Sequence, residues 1–157
     1  MLTWMKRLVA IVLAVACMAA VLAGCGKAEA PEEGFVQMGN PLVEVASAAQ
    51  MEEKLGYPIP LLDKEVEIYF VLVINGIADT GRIHYKDGTV FNIKKGSGDI
   101  SGIYGGTLDS ELTLNGVSIG FYSFEGNAYA IWEDGGFAYS LSDSPMLQAD
   151  VQELIGQ

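Results

Sequence analysis

Between residues 66 and 141 the chain is broken at short intervals by residues that tolerate a left-handed backbone: Asn75-Gly76, Asp87-Gly88, Asn115-Gly116, Glu125-Gly126-Asn127 and Asp134-Gly135-Gly136. Such pairs suit tight hairpin loops, whose twist matches that of the strands they join. The segments between them are short and rich in β-branched and aromatic residues, so the region is confined to antiparallel sheet. Val66–Ile74 (VEIYFVLVI) is almost unbroken in its apolar character, which predicts a strand covered on both faces. Ile77–Lys86 and Thr89–Lys95 alternate, with Ile83, Tyr85, Phe91 and Ile93 inward and Arg82, His84 and Lys86 outward. Thr107–Leu114 and Val117–Phe124 form the next hairpin, and two shorter strands surround Tyr129–Trp132 and Phe137–Leu141.

Two helices frame this sheet. Ser47 and Gln50 fit a capping box ahead of Ala48–Leu55, and Gly56 fits a left-handed stop. Near the end of the chain, Ser144 caps a helix with Pro145 at its first position. Leu147, Val151, Leu154 and Ile155 then make one apolar stripe. The expected fold is α+β: an antiparallel, mostly meandering sheet of about six strands, with one N-terminal and one C-terminal helix packed on it.

The first 24 residues read as a targeting segment. Lys6 and Arg7 precede Leu8–Ala23, sixteen residues without a charge. That run is short against the ~20 apolar residues of a membrane-spanning helix. It ends in Leu22-Ala23-Gly24-Cys25, which resembles the lipobox of bacterial lipoproteins. The resemblance implies diacylglyceryl transfer to the Cys25 sulfur and cleavage before Cys25. The chain is then attached to the outer face of the cytoplasmic membrane by that lipid. Cys17 departs with the leader, so the mature 133 residues hold no second thiol and no internal disulfide. Residues 25–40 read as the lipidated cysteine and a flexible tether, with a root-mean-square reach of ~20 Å. Residues 41–157 form the folded domain.

Charge narrows the partners. The formal net charge is −11, and removing the leader with Lys6 and Arg7 but no acid brings it to −13. An acidic surface excludes nucleic acid and stands off anionic lipid headgroups.

Several segments resemble the bacterial domain of unknown function DUF4367. They are Asn40-Pro41-Leu42-Val43-Glu44, the helix ending Leu55-Gly56, the Asp87-Gly88 turn, Lys95–Gly106 and Ala130–Leu141. The resemblance covers roughly residues 40–156 and implies a secreted or membrane-anchored protein of Gram-positive bacteria. It carries no catalytic residues.

Individual motifs point away from catalysis. The glycine-rich loop Gly96–Gly106 lacks a Gly-Lys-Ser/Thr ending and is followed by a strand, so no helix N-terminus receives a phosphate. Asp99 and Ser101 instead suit capping of loop backbone N–H groups. Gly116-Val117-Ser118-Ile119-Gly120 matches a nucleophile-elbow pattern, but on a strand rather than at a strand-to-helix turn. His84 is the only histidine, and one imidazole makes no zinc site. The carboxylates lack calcium-loop spacing. No metal or cofactor is implied.

The candidate contact surface is Asp99, Ser101 and Tyr104 of the loop with Tyr122, Phe124 and Trp132 of the later strands. The expected role is a lipid-anchored, non-enzymatic binding domain for a membrane or envelope protein or a small apolar ligand. The alternatives are an envelope-stress or sporulation-type regulator, a lipid-carrier-like lipoprotein and, using paired acids, a cell-wall glycan hydrolase.

Overall fold

The computed structural model describes residues 41–157. The leader, Cys25 and the tether lie outside the described residues. The chain runs β1 (Leu42–Val45), α1 (Ala48–Leu55), β2 (Val66–Ile74), β3 (Ile77–Tyr85), β4 (Val90–Lys95), β5 (Thr107–Leu114), β6 (Val117–Phe124), β7 (Asn127–Asp134), β8 (Phe137–Ser142) and α2 (Leu147–Ile155). The fold is α+β, with one antiparallel sheet and a helix toward each end. The sheet has eight strands rather than about six, in the order β1-β2-β3-β4-β8-β7-β6-β5. The connection after β4 runs to the far edge, and the chain returns through β5–β8 until β8 pairs with β4, Phe91 opposite Leu141 and Ile93 opposite Tyr139.

Local chemistry explains the ends of α1. Ser47 accepts a hydrogen bond from the Gln50 backbone N–H at 3.3 Å. The Gln50 side-chain oxygen accepts in return from Ala46 N–H at 2.7 Å, one residue earlier than a strict capping box. Gly56 stops the helix at φ +80°. At α2 the cap differs from the expectation. Ser144 accepts from Met146 N–H at 3.0 Å and closes a turn, and the helix begins at Leu147, not at Pro145. The Asn75-Gly76, Asn115-Gly116 and Glu125-Gly126 turns have both central residues at positive φ. In the turn after β3 only Gly88 does, and Asp87 instead accepts a hydrogen bond from Thr89 N–H at 3.0 Å.

One face of the sheet, here the inner face, carries both helices. Met51 of α1 and Val151 and Leu154 of α2 join Val71, Ile83, Tyr85, Phe91, Ile93, Ile119, Trp132 and Leu141 in a single buried cluster. At Gly81 the approach of α1 is close: an added Cβ would lie 3.0 Å from both Leu55 Cδ1 and Met51 Sδ. Phe91, Trp132 and Tyr139 stack along this face with nearly parallel rings, their centroids 5.2–6.4 Å apart.

Tyr85 ties the 57–65 segment to the core. Its side chain is fully buried, and its hydroxyl accepts a hydrogen bond from Leu62 N–H at 3.1 Å. Burial pushes this phenol up to about 12, against the opposing pull of that hydrogen bond. The neutral form is thus favoured by the fold, and the stability it contributes is present below pH 10 and lost as pH rises toward 12. Two pH units correspond to about 3 kcal/mol. Tyr85→Phe should therefore flatten the alkaline limb of the stability–pH curve, followed by urea unfolding between pH 8 and 12. An unchanged alkaline limb in that variant would remove Tyr85 as its cause.

Candidate functional site

The opposite, outer face of the sheet is polar at its centre. Arg82, Asn92 and Ser140 stand directly opposite one another across β3, β4 and β8. Arg82 Nε donates to Asn92 Oδ1 at 2.7 Å, and Asn92 Nδ2 donates to Ser140 Oγ at 2.9 Å. Asn92 and Ser140 are buried, with 2% and 1% of their surface exposed. One register step away, Thr80 faces Lys94. The Lys94 ammonium lies 2.9 Å from Asp79, which also accepts from the Thr80 hydroxyl at 2.8 Å. Burial pushes the Asp79 carboxyl up, but these two hydrogen bonds outweigh it and hold the group below its ordinary value.

The glycine-rich loop lies against this face and is held at several points. Gly96 N–H donates to Gly136 O at 2.9 Å, and Gly98 N–H to Glu133 Oε1 at 2.7 Å. Asp99 accepts from Ser101 N–H at 2.8 Å, and Ser101 accepts from Ile103 N–H at 3.1 Å, so successive side chains shape the loop from within. Its end rests on Tyr129, which is 2% exposed. A Cβ at Gly106 would meet the Tyr129 hydroxyl at 1.9 Å, so only glycine fits there.

Between this loop and strands β1–β4 lies a cleft of about 530 Å³. One wall is aliphatic, from Leu42 of β1 and Leu72 and Ile74 of β2. The loop supplies the other through Ile100, Ile103 and Tyr104, and Thr80, Arg82 and Lys94 form the floor. That size is typical of small-molecule sites, which combine apolar walls with a few placed polar groups.

The loop residues singled out in the sequence thus meet at this cleft, with Asp99 and Tyr104 in its lining and Ser101 bracing the loop. Tyr104 is 88% exposed at the rim. Tyr122 and Phe124 are also on the outer face, at the foot of the loop: Tyr122 stacks on Tyr129 at 5.3 Å, and a Cβ at Gly105 would lie 3.7 Å from Phe124. Both are half-buried and make no flat aromatic patch. Trp132 does not belong with them. It pairs with Ile119 and Tyr139 on the inner face and is 3% exposed, because strand pleating sends it to the side opposite Tyr129.

Sequence reasoning placed Arg82 outward but did not connect it with a site. Its signal was simple: the chain has two arginines, and Arg82 is the only one among the described residues. His84, its neighbour on the same face, packs edge-on against Phe70 at 5.6 Å. Burial first, and then the Arg82 charge, lower the imidazole below its ordinary value, while Glu67 and Asp143 oppose them. Ser118 is exposed on β6, four strand positions from β3 and four residues along from Tyr122, which lies in the register row of His84, so the two are roughly 23 Å apart by strand spacing and rise. No serine–histidine pair forms between them. Among the described residues no three His, Cys, Asp or Glu gather as metal ligands, and no helix is long and apolar enough to cross a membrane.

Comparison with protein-family models, curated proteins and solved structures found no match to this chain.

Proposed function

We propose that this chain is an extracytoplasmic lipoprotein, cleaved before Cys25 and held at the outer face of the cytoplasmic membrane by a diacylglyceryl group on that sulfur. Its 41–157 domain is a non-enzymatic binding domain that receives a small ligand in the cleft under the 96–106 loop. The observation that carries this reading is the cleft itself, with an aliphatic wall and a largely apolar loop wall over a hydrogen-bonded polar floor. A concave, partly apolar site favours a small ligand over a broad protein interface. The acids at the cleft support binding rather than glycan hydrolysis. Asp79 is engaged by Lys94 and Thr80 and held in its ionised form, where a general acid needs a raised value, and Asp99 braces its own loop.

Anchoring is checked by Cys25→Ser. Two or more acyl chains make membrane attachment stable, and serine cannot form the thioether. The variant should appear in the medium or accumulate as the unprocessed precursor, with membrane retention lost. Wild-type retention, together with a mature mass lacking the lipid, would end the lipoprotein reading.

A further inference from the structure

We propose that the cleft selects ligands bearing a single carboxylate on an aliphatic body, with the Arg82 guanidinium as the group that receives the acid; this rests on the cleft being a binding site. Arg82 is half-buried on the cleft floor, and among the described residues no carboxylate lies within ion-pair distance of it. The other cations that lie partly out of water, Lys64 and Lys94, are both paired with aspartates. A half-buried cation without a counter-charge is unfavourable in the empty protein, the more conspicuous in a chain of net charge −11. An anionic ligand supplies what is missing.

The geometry also fixes how the acid is met. The Asn92–Ser140 hydrogen bonds hold Arg82 by Nε, which leaves its two terminal nitrogens for the ligand. Those nitrogens present parallel N–H groups that match the two oxygens of a carboxylate. Because Asn92 and Ser140 are themselves buried, the guanidinium is oriented before the ligand arrives. Charge count decides between acids. Lys94 is neutralised by Asp79, which leaves Arg82 as the one floor cation without a contacting carboxylate, and the negative charge of Asp99 at the cleft wall repels a phosphate dianion more than a monoanion. Leu42, Leu72 and Ile74 run beside the guanidinium as the surface for the aliphatic body.

The test uses the mature chain with Cys25→Ser, which keeps every residue after the leader except that sulfur. Octanoate and octanol are titrated separately, and binding is read from backbone amide shifts of residues 72, 82, 94 and 100–104. Octanoate should bind about tenfold to a hundredfold tighter than octanol, the range expected for a charge-assisted hydrogen-bonded pair. Arg82→Gln should abolish that preference while octanol binding persists. Arg82→Lys, which keeps the charge but loses the fork, should retain only part of it. Should Arg82→Gln unfold, the lysine variant and the octanoate–octanol ratio of the unaltered chain still decide the matter. Equal affinity for the two probes would overturn the acid preference and leave the cleft as an apolar site. Failure of both probes to shift any of these amides would overturn the binding site itself.

Discussion

Trp132→Ala lowers stability by about 3–5 kcal/mol, the range for deleting a large aromatic side chain from a packed core. Trp132 belongs to the inner-face aromatic row, 5.2 Å from Tyr139 and 6.4 Å from Phe91 by ring centroids. It also pairs across β6 and β7 with Ile119, which is fully buried. The sheet backbone is pinned by pairing on both sides of β7, so it cannot collapse into the space the indole leaves. The measurement is the urea midpoint with the slope unchanged. A variant as stable as the parent would mean that Trp132 contributes nothing to the core and would return it to the contact surface.

Asp150→Ala costs about 3 kcal/mol, toward the lower end of what breaking a buried ion pair does. Asp150 is 5% exposed in the first turn of α2, where a negative charge also favours the helix. It accepts hydrogen bonds from Lys64 and from Ser144, joining the 57–65 segment to the helix. Lys64 reaches Asp87 at 2.8 Å and Thr89 at 3.1 Å as well, so the alanine variant leaves it one counter-charge instead of two. Burial raises the Asp87 carboxyl, yet the Lys64 and Thr89 hydrogen bonds carry it down to about 2. Replacing the pair together, Lys64→Met with Asp150→Leu, should recover much of the loss, because two apolar groups carry no desolvation cost. Denaturation midpoints of the single and double variants check this. A single-variant loss under about 0.5 kcal/mol, the scale of an exposed pair, would show that water already solvates the pair.

What could be read in the sequence was what is decided within a few residues. The Ser47–Gln50 cap, the Gly56 stop and the Asn-Gly hairpins depend on neighbours, and they stand where the pattern put them. Strand β1 was not legible, because four residues following Asn40-Pro41 form a strand only by pairing with β2, some thirty positions later in register. The β4–β8 pairing was hidden for the same reason, and with it the true strand order. Trp132 was misplaced by grouping aromatics along a strand instead of by its pleat, where one residue changes the face. The outward side chain of Arg82 was legible, but that the glycine-rich loop comes back over that face is a tertiary fact, and it turns an exposed charge into the floor of a cleft.

The position of that loop bears on how the domain holds together. Six of the seven strand pairings join strands consecutive in the chain, and only β4–β8 does not. Residues 42–95 and 107–142 are each a meander of near neighbours, and the entropy of long-range closure falls on a single seam between them. The 96–106 loop is the thread across that seam, facing the cleft on one half and moored to Glu133, Phe124 and Tyr129 on the other. A guest that binds only when the two halves are joined adds its own free energy to the join by mass action, so occupancy and seam strength are thermodynamically linked.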